Sequence, residues 1–571
     1  MNARPATRQR AAYVQRGILP GILVVLALVL SACAGLPVSG PVNPGLSAGE
    51  DAGSPEFLFR PDEPQPGATP EQIVEGFIRA GSGPGPAANW EVARMFLAPS
   101  IRETWKPEAS VTIDLPDDRE AVSPTEGAVE LSLVAVATVD QNGAYQPDAG
   151  VTQLSFRLAQ QDSGEWRITE APDGVVVDRD VFANVFHRYS LMYFDPTWQF
   201  LVPDVRWFPT TNAATRIADA LVDGPPSGWL AESVVNSFPE SVSLARPSVP
   251  LESGVAQVTL SAEALLVEST TLDRMQTQLT ASLATAGVSG AQMSVASTPL
   301  TAEPVSTRST RVTGPPLVLT EEGFGFLAGD ELTPIPGLSD AMTLVDPAAI
   351  QVAPDRDFAA VRLVGGPVAR VPAEGDIAVI DSRAGLVDPS ADPFGYIWSV
   401  PRDQPAEIVV FSAAGQQSGV ADAWPGATQI SAMAVSRGGT RVAALLVTGG
   451  RSEVWIAGIV RDADNVPVRL GDPVPLGALA GTGSGLAWLD DTTVGVLSAE
   501  AGGLLFTQQL VGGPATTTDA PQGAASIAGA TSISTVRLRT EDGSLFVKRG
   551  ANWQRTTSGI LILATQQGSP Q

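Results

Sequence analysis

Val352-Ala-Pro-Asp-Arg-Asp-Phe-Ala-Ala-Val361 reads as a short apolar strand, a polar turn and a second apolar strand. The same grammar returns in Val435-Ser-Arg-Gly-Gly-Thr-Arg-Val442 and in Leu486-Ala-Trp-Leu-Asp-Asp-Thr-Thr-Val494. The copies begin 83 and then 51 residues apart, which suits units of about 40 to 50 residues with one copy hidden in the first gap. Val387-Asp-Pro-Ser-Ala-Asp-Pro-Phe-Gly-Tyr-Ile-Trp398 fills that gap. Beyond Pro315 helical periodicity vanishes, and short apolar runs alternate with Gly, Asp and Ser turns to the end of the chain. The region therefore predicts one β-propeller of five to seven blades over residues 312–562, followed by a tail, 563–571. A pair of β-sandwiches is the competing all-β arrangement.

Upstream the grammar changes. Thr69-Pro-Glu-Gln72 has a capping hydroxyl, a proline suited to the first helical position and a glutamine to complete a capping box. Ile73, Val74, Phe77 and Ile78 then mark one helical face, and a second short helix is expected around Trp90 to Leu97. Val129, Leu131, Leu133, Ala135, Ala137 and Val139 alternate, as do Leu154, Phe156 and Leu158. Helices followed by an antiparallel sheet predict an α+β domain over 69–197. A second α+β unit, 198–311, is expected from strand-like Phe200 to Phe208, a helix around Thr215 to Val222 and strand-like Val255 to Leu260. A capping box at Thr270 to Asp273 is expected to open its second helix, with Leu272, Met275, Leu279 and Leu283 on one face.

At the other end, residues 1–17 carry Arg4, Arg8, Arg10 and Arg16 and no acid, and Ile18 to Leu30 form an apolar run of signal-peptide length. Leu30-Ser-Ala-Cys33 follows, with small residues before a cysteine that is the only one in the chain. A single cysteine allows no intramolecular disulfide, so the domains rest on packing alone. Residues 34–68, rich in Pro, Gly, Ser and acids, read as a flexible tether. An uncleaved anchor or an ordinary secretory leader is the competing reading of 1–32.

The formal charge of -26 becomes -30 once the four leader arginines are removed. So acidic a body repels phosphate backbones, and nucleic acid is not expected as a partner. Of 35 basic residues only Lys106 and Lys548 are lysines, a pattern that fits high-GC coding better than a binding device.

Taken together, these three regions resemble the actinobacterial lipoprotein family LpqB. Leu30-Ser-Ala-Cys33 is similar to the bacterial lipobox. In the middle region, Phe200-Leu-Val-Pro-Asp-Val-Arg206, Ala220-Leu-Val-Asp-Gly-Pro-Pro226, Ser237-Phe-Pro239 and Val258-Thr-Leu-Ser261 resemble a GerMN domain. The resemblance implies an NTF2-like fold before it and a propeller after it. It implies that the thiol of Cys33 carries diacylglycerol and its freed amine an acyl chain such as palmitate, anchoring the body on the extracytoplasmic face of the cell membrane. It also implies an accessory role beside the two-component system of the sensor kinase MtrB and its regulator MtrA, linked to cell-wall and division control. The expected contact is the kinase's extracytoplasmic domain, for which no residue motif carries over.

Chemistry is sparse. The one histidine, His187, lies among Phe186, Arg188 and Tyr189, and no Gly-x-Ser-x-Gly elbow or second cysteine accompanies it. No catalytic residue is assigned and the chain is read as a non-enzyme. Zinc needs several His or Cys ligands. Calcium needs only oxygens, but Asp114, Asp117 and Asp118, or Asp462, Asp464 and Asn465, lack the spacing of a calcium loop and read as solvated turns. No metal or cofactor is therefore expected. Gly323-Phe-Gly-Phe-Leu-Ala328 superficially matches a dinucleotide loop, yet Pro334 and Pro336 follow where a helix must open, so a hairpin is expected. Paired carboxylates keep a glycan-binding protein or glycan hydrolase as the alternative. Trp166, Trp198, Trp207, Trp229, Trp398, Trp455 and Trp488 suit sugar stacking, though spaced tryptophans in strands are more often core.

Overall fold

The Thr69 hydroxyl accepts from the Gln72 backbone N–H at 3.4 Å, and Gln72 Oε1 accepts from the Thr69 N–H at 3.0 Å, closing the expected capping box. In the computed structural model, which describes residues 61–83, 89–529 and 535–570, helix Pro70–Gly81 follows from this cap. The leader, Cys33 and the tether before residue 61 lie outside the described residues. The helix lays Ile73, Val74, Phe77 and Ile78 into a core with the sheet behind it, Phe77 meeting Trp105 and Phe156 with ring centroids 5.0 and 6.0 Å apart.

That sheet has six strands in the order Trp166–Glu170, Tyr145–Gln160, Ala128–Asp140, Ser110–Asp114, Val175–Asp178, with Glu120–Thr125 also pairing Ala128–Asp140. Only the pair Ser110–Asp114 with Val175–Asp178 is parallel. Ala128–Asp140 buries Val129, Leu131, Leu133, Ala135, Ala137 and Val139 in strict alternation, so one face meets the helix and the other faces outward.

Phe186–Phe194 and Leu201–Pro209 form an antiparallel hairpin across the boundary expected at 197/198. Asp195-Pro-Thr-Trp198 is part of the hairpin's turn, and Tyr189, Leu191 and Tyr193 belong to the core of the middle domain. Helix Ala213–Val222 packs on this hairpin. Val255–Leu260, helix Ser269–Ala284 and Gly290–Val295 make a β-α-β unit whose two strands are parallel. Met275, Leu279 and Leu283 are fully buried and Leu272 partly so, as the helical period requires. The expected capping box is absent: the helix starts at Ser269 with Glu268 as cap, and Asp273 instead accepts from the Glu303 N–H at 2.8 Å.

After residue 316 the described residues build six sheets arranged as a propeller. The innermost strands of blades two to six are Pro347–Val352, Ser390–Ala391, Ala427–Val435, Thr482–Trp488 and Ala524–Ala528, each followed outward by antiparallel partners. All four sequence repeats fall on the turn from the innermost strand of a blade to the next strand out. The first blade is composite. Leu317–Thr320, Gly323–Ala328 and Glu331–Pro334 come from the start of the region, while Ile562–Leu563 arrives from the end of the chain and pairs with Val318 and Leu319.

Thr565–Gln566 then runs parallel to Pro347–Val352, and Gln567 is buried. Residues 563–571, expected as a tail, thus begin with part of the ring closure. Two-residue strands are too short to show a period, which is why this was not legible.

Candidate functional site

The residues singled out by sequence scatter over the molecule. Cys33 lies outside the described residues. His187 is partly buried on the hairpin, opposite Phe208. Asp114 is not a solvated turn residue: it is fully buried and held by Arg119 through two hydrogen bonds of 2.6 and 2.7 Å. Its neighbours Asp117 and Asp118 sit exposed in a short 3-10 turn. Asp462 accepts from the N–H groups of Asp464 and Val466 and so folds its own turn. Gly323–Ala328 is a central strand of the first blade. Trp207, Trp398 and Trp488 are buried, while Trp166, Trp198, Trp229 and Trp455 are partly so.

The hairpin strand Leu201–Pro209 is where the three regions meet. Val202 through Phe208 are all buried, because Val202 and Phe208 join the middle core while Val205 and Trp207 join the N-terminal core together with Leu510 of the propeller. Asp204 and Arg206 form an ion pair of 2.7 Å with both side chains 2% exposed. Asp204 also accepts from the Ser227 hydroxyl at 2.7 Å. Burial works against the Arg206 charge, but the charge and hydrogen bond of Asp204 together with Tyr193 and Asp140 more than offset it and leave the guanidinium pKa above its ordinary value.

On the propeller side, Trp207 Nε1 donates to the Gly512 carbonyl at 2.8 Å, and a Cβ on Gly512 would stand 3.2 Å from that of Val205. Arg441, wholly buried, donates to the Pro203 carbonyl, and its pKa is pushed down to about 10 by burial. Arg469 and Glu232 add an ion pair at the surface.

The propeller axis holds a cavity of about 300 Å³ lined by the innermost strands. Gln351 Oε1 accepts from the Ala391 N–H and the Ser390 hydroxyl, tying blades two and three together. Gln567 donates to the carbonyls of Ala391 and Val435, reaching from the chain end to blades three and four. Among the described residues four charged side chains line the cavity: Arg362, Arg437, Arg539 and Asp388. Arg362 and Asp388 neutralise each other at 2.7 Å. These residues escaped the sequence reading because they come one or two per blade. The only trace they leave is a polar residue interrupting each apolar innermost strand, such as Gln351, Ser431, Ser484 and Ser526. A second cavity, of about 490 Å³, lies beside helix Pro70–Gly81, between Ile78, Leu131 and Val181 and the charges of Arg79, Arg119 and Asp178.

Among the described residues no helix is long and apolar enough to cross a membrane. Comparison with known families matches residues 63–183 to the N-terminal domain of lipoprotein LpqB, 190–301 to the Germane domain of sporulation and spore germination proteins, and 322–561 to the β-propeller domain of lipoprotein LpqB. The chain is similar to lipoprotein LpqB of Rhodococcus jostii (strain RHA1), with 31% identity over 258 residues, 44% of this chain and 41% of that protein. For lipoprotein LpqB of Rhodococcus opacus (strain B4) the identity is 31% over 297 residues, 49% of this chain and 48% of the relative. These matches span less than half the length of either relative. Among solved structures, TolB from Acinetobacter baumannii superposes with a TM-score of 0.33 at 13% identity, covering 44% of this chain and 66% of TolB. A chain of the nidogen/laminin complex gives 0.31 at 12%, covering 43% and 95%. The two LpqB domains flank a Germane domain and together take up more than half of the sequence, and the chain belongs to the LpqB lipoprotein family.

Proposed function

We propose that the protein is an extracytoplasmic accessory lipoprotein, anchored to the cell membrane by lipid on Cys33, that docks on the extracytoplasmic part of a two-component sensor kinase of the MtrB type. It acts by binding one conformation of that partner more tightly than the other, which is the only way a bound protein can shift a signalling equilibrium. The observation that carries the reading is the domain order of a lipoprotein family, N-terminal domain, Germane domain and propeller, in one chain. The buried junction at Asp204, Arg206 and Arg441 supports it, because a body whose parts are locked together transmits a contact at one end to the other.

The polar axial cavity favours a second reading, an envelope glycan binder. Hydrolysis is the weaker form of it. A glycosidase needs two carboxylates roughly 5 to 9.5 Å apart, and the single acidic residue lining this cavity, Asp388, is paired with Arg362.

The two readings separate in one experiment. The protein is tagged beyond Gln571, intact cells are crosslinked, and membrane-derived partners are identified by mass spectrometry, with Cys33→Ala as control. Recovery of a sensor kinase that declines in the Cys33→Ala strain is the expected result. Wall fragments without a kinase would sink the sensor reading and put the glycan reading first.

A further inference from the structure

We infer that the axial cavity of the propeller binds a small hydroxylated anion, a carboxylated or phosphorylated molecule about the size of one sugar, through Arg437 and Arg539. The inference is independent of the sensor-kinase reading, since it concerns a small ligand inside the ring.

Two cations in the lining have no carboxylate partner among the described residues. Arg437 is 6% exposed, and its Nη2 donates to the Trp488 carbonyl at 3.0 Å, while its Nε and Nη1 donate to no protein acceptor there. Arg539 donates through Nε to the Ile560 carbonyl at 2.8 Å, which leaves both of its Nη groups without a protein acceptor. A guanidinium carries five N–H donors in a fixed fork, and the free ones of Arg437 and Arg539 are not among the atoms buried without a partner, so they stay accessible to a ligand. Such a fork is matched by an oxyanion, which takes two parallel hydrogen bonds from it.

Asp490 and Asp491 act on Arg437, and Asp542 and Glu541 on Arg539, through space only, and none of them makes an ion pair with either guanidinium. Asp490 accepts from the N–H groups of Thr492 and Thr493, and Asp491 accepts from the Thr310 hydroxyl. Asp388 is taken by Arg362. The cavity lining therefore carries an excess of positive charge in a chain whose formal net charge is -26. General surface charge does not explain that excess.

Two further polar atoms of the lining are buried with no hydrogen-bond partner, Ser526 Oγ and Gln566 Oε1. Buried polar atoms are nearly always paired, and those that are not call for an explanation such as a missing ligand or water. The serine hydroxyl can donate or accept, whereas the glutamine oxygen only accepts. A ligand that satisfies both must carry a hydroxyl or N–H beside its anionic group. The volume, about 300 Å³, lies at the lower end of small-molecule sites, which suits an occupant about the size of one sugar.

The test is calorimetric titration of the full lipoprotein in detergent with glucuronate, with inorganic phosphate and with neutral glucose. Saturable binding of at least one anion, about tenfold or more tighter than glucose, is expected. Tighter binding of glucuronate assigns a carboxylated ligand and tighter binding of phosphate a phosphorylated one. Arg539→Gln should weaken the anion by about tenfold while leaving the unfolding midpoint in place, and Arg157→Gln, on the exposed face of the N-terminal sheet, should change nothing. Glucose binding as tightly as both anions, neither anion binding saturably, or undiminished anion binding in Arg539→Gln would overturn the inference.

Discussion

The Arg441 guanidinium lies over the Trp488 ring, 4.9 Å from its centroid, and reaches across to the Pro203 carbonyl of the hairpin at 3.4 Å. One arginine thus joins two blades of the propeller to the middle domain while carrying a charge that burial opposes and an Nε with no partner.

Replacing Arg441 separates its two contributions. Arg441→Met keeps the length of the side chain and discards the desolvated charge, so its cost should be within about 1.5 kcal/mol. Arg441→Ala leaves a cavity at the junction and should cost about 2 to 5 kcal/mol. Urea unfolding midpoints of the two variants order them. An alanine variant as stable as the methionine variant would refute the packing account.

Asp195 organises the hairpin turn alone. Fully buried, it accepts from the N–H groups of Thr197, Gln199 and Phe200 and from the Thr197 hydroxyl. Asp195→Ala should destabilise by about 2 to 4 kcal/mol, since it strands several donors at once, and Asp195→Asn by less. Differential scanning calorimetry measures both.

Breaking the buried pair in the N-terminal domain should cost more than deleting it. Arg119→Met leaves the Asp114 carboxylate buried without its partner and should cost about 3 to 5 kcal/mol. Adding Asp114→Leu to Arg119→Met should recover part of that loss. A double variant less stable than the single one would show that the ion pair itself stabilises the fold.

High pH should weaken the N-terminal sheet and the hairpin. Burial pushes the Tyr145 and Tyr189 hydroxyls up to about 12, and burial with the nearby Asp204 charge raises Tyr193 further. Below pH about 10 these phenols are neutral in both states and add no pH dependence. Between about 10 and 12 the unfolded chain releases protons that the folded one keeps, so stability falls as pH rises. Thermal unfolding across that window should show the decline, and replacing the three tyrosines with phenylalanine should flatten it.

The sequence disclosed those parts of the fold whose signals are local. Thr69 and Gln72 declare a helix start within four residues, and the alternation from Val129 to Val139 declares a half-buried strand. Strand Phe186–Phe194 was hidden because it lacks clean alternation: Tyr189, Leu191 and Tyr193 face the middle core while Phe186 joins the N-terminal one. The turn between inner strands gave the blades away, but their number required the pairing of Ile562–Leu563 with Val318 and Leu319. The cavity was invisible for a related reason. Arg437 and Arg539 are ordinary arginines in sequence, and only the ring places them around one space while Asp490 and Asp491 turn to other partners.

The pairing of Leu563 with Val318 also sets the order in which this molecule can mature. A chain made from its amino end presents the three outer strands of the first blade long before the strand that completes them exists. Until Ile562 to Gln567 emerge, that blade has an open edge, and Gln567 cannot yet bridge Ala391 and Val435. The N-terminal and middle domains have their own cores and can form earlier. Of the three regions the ring closes last, and a premature stop before Ile562 leaves an unsealed edge competent to pair with another chain.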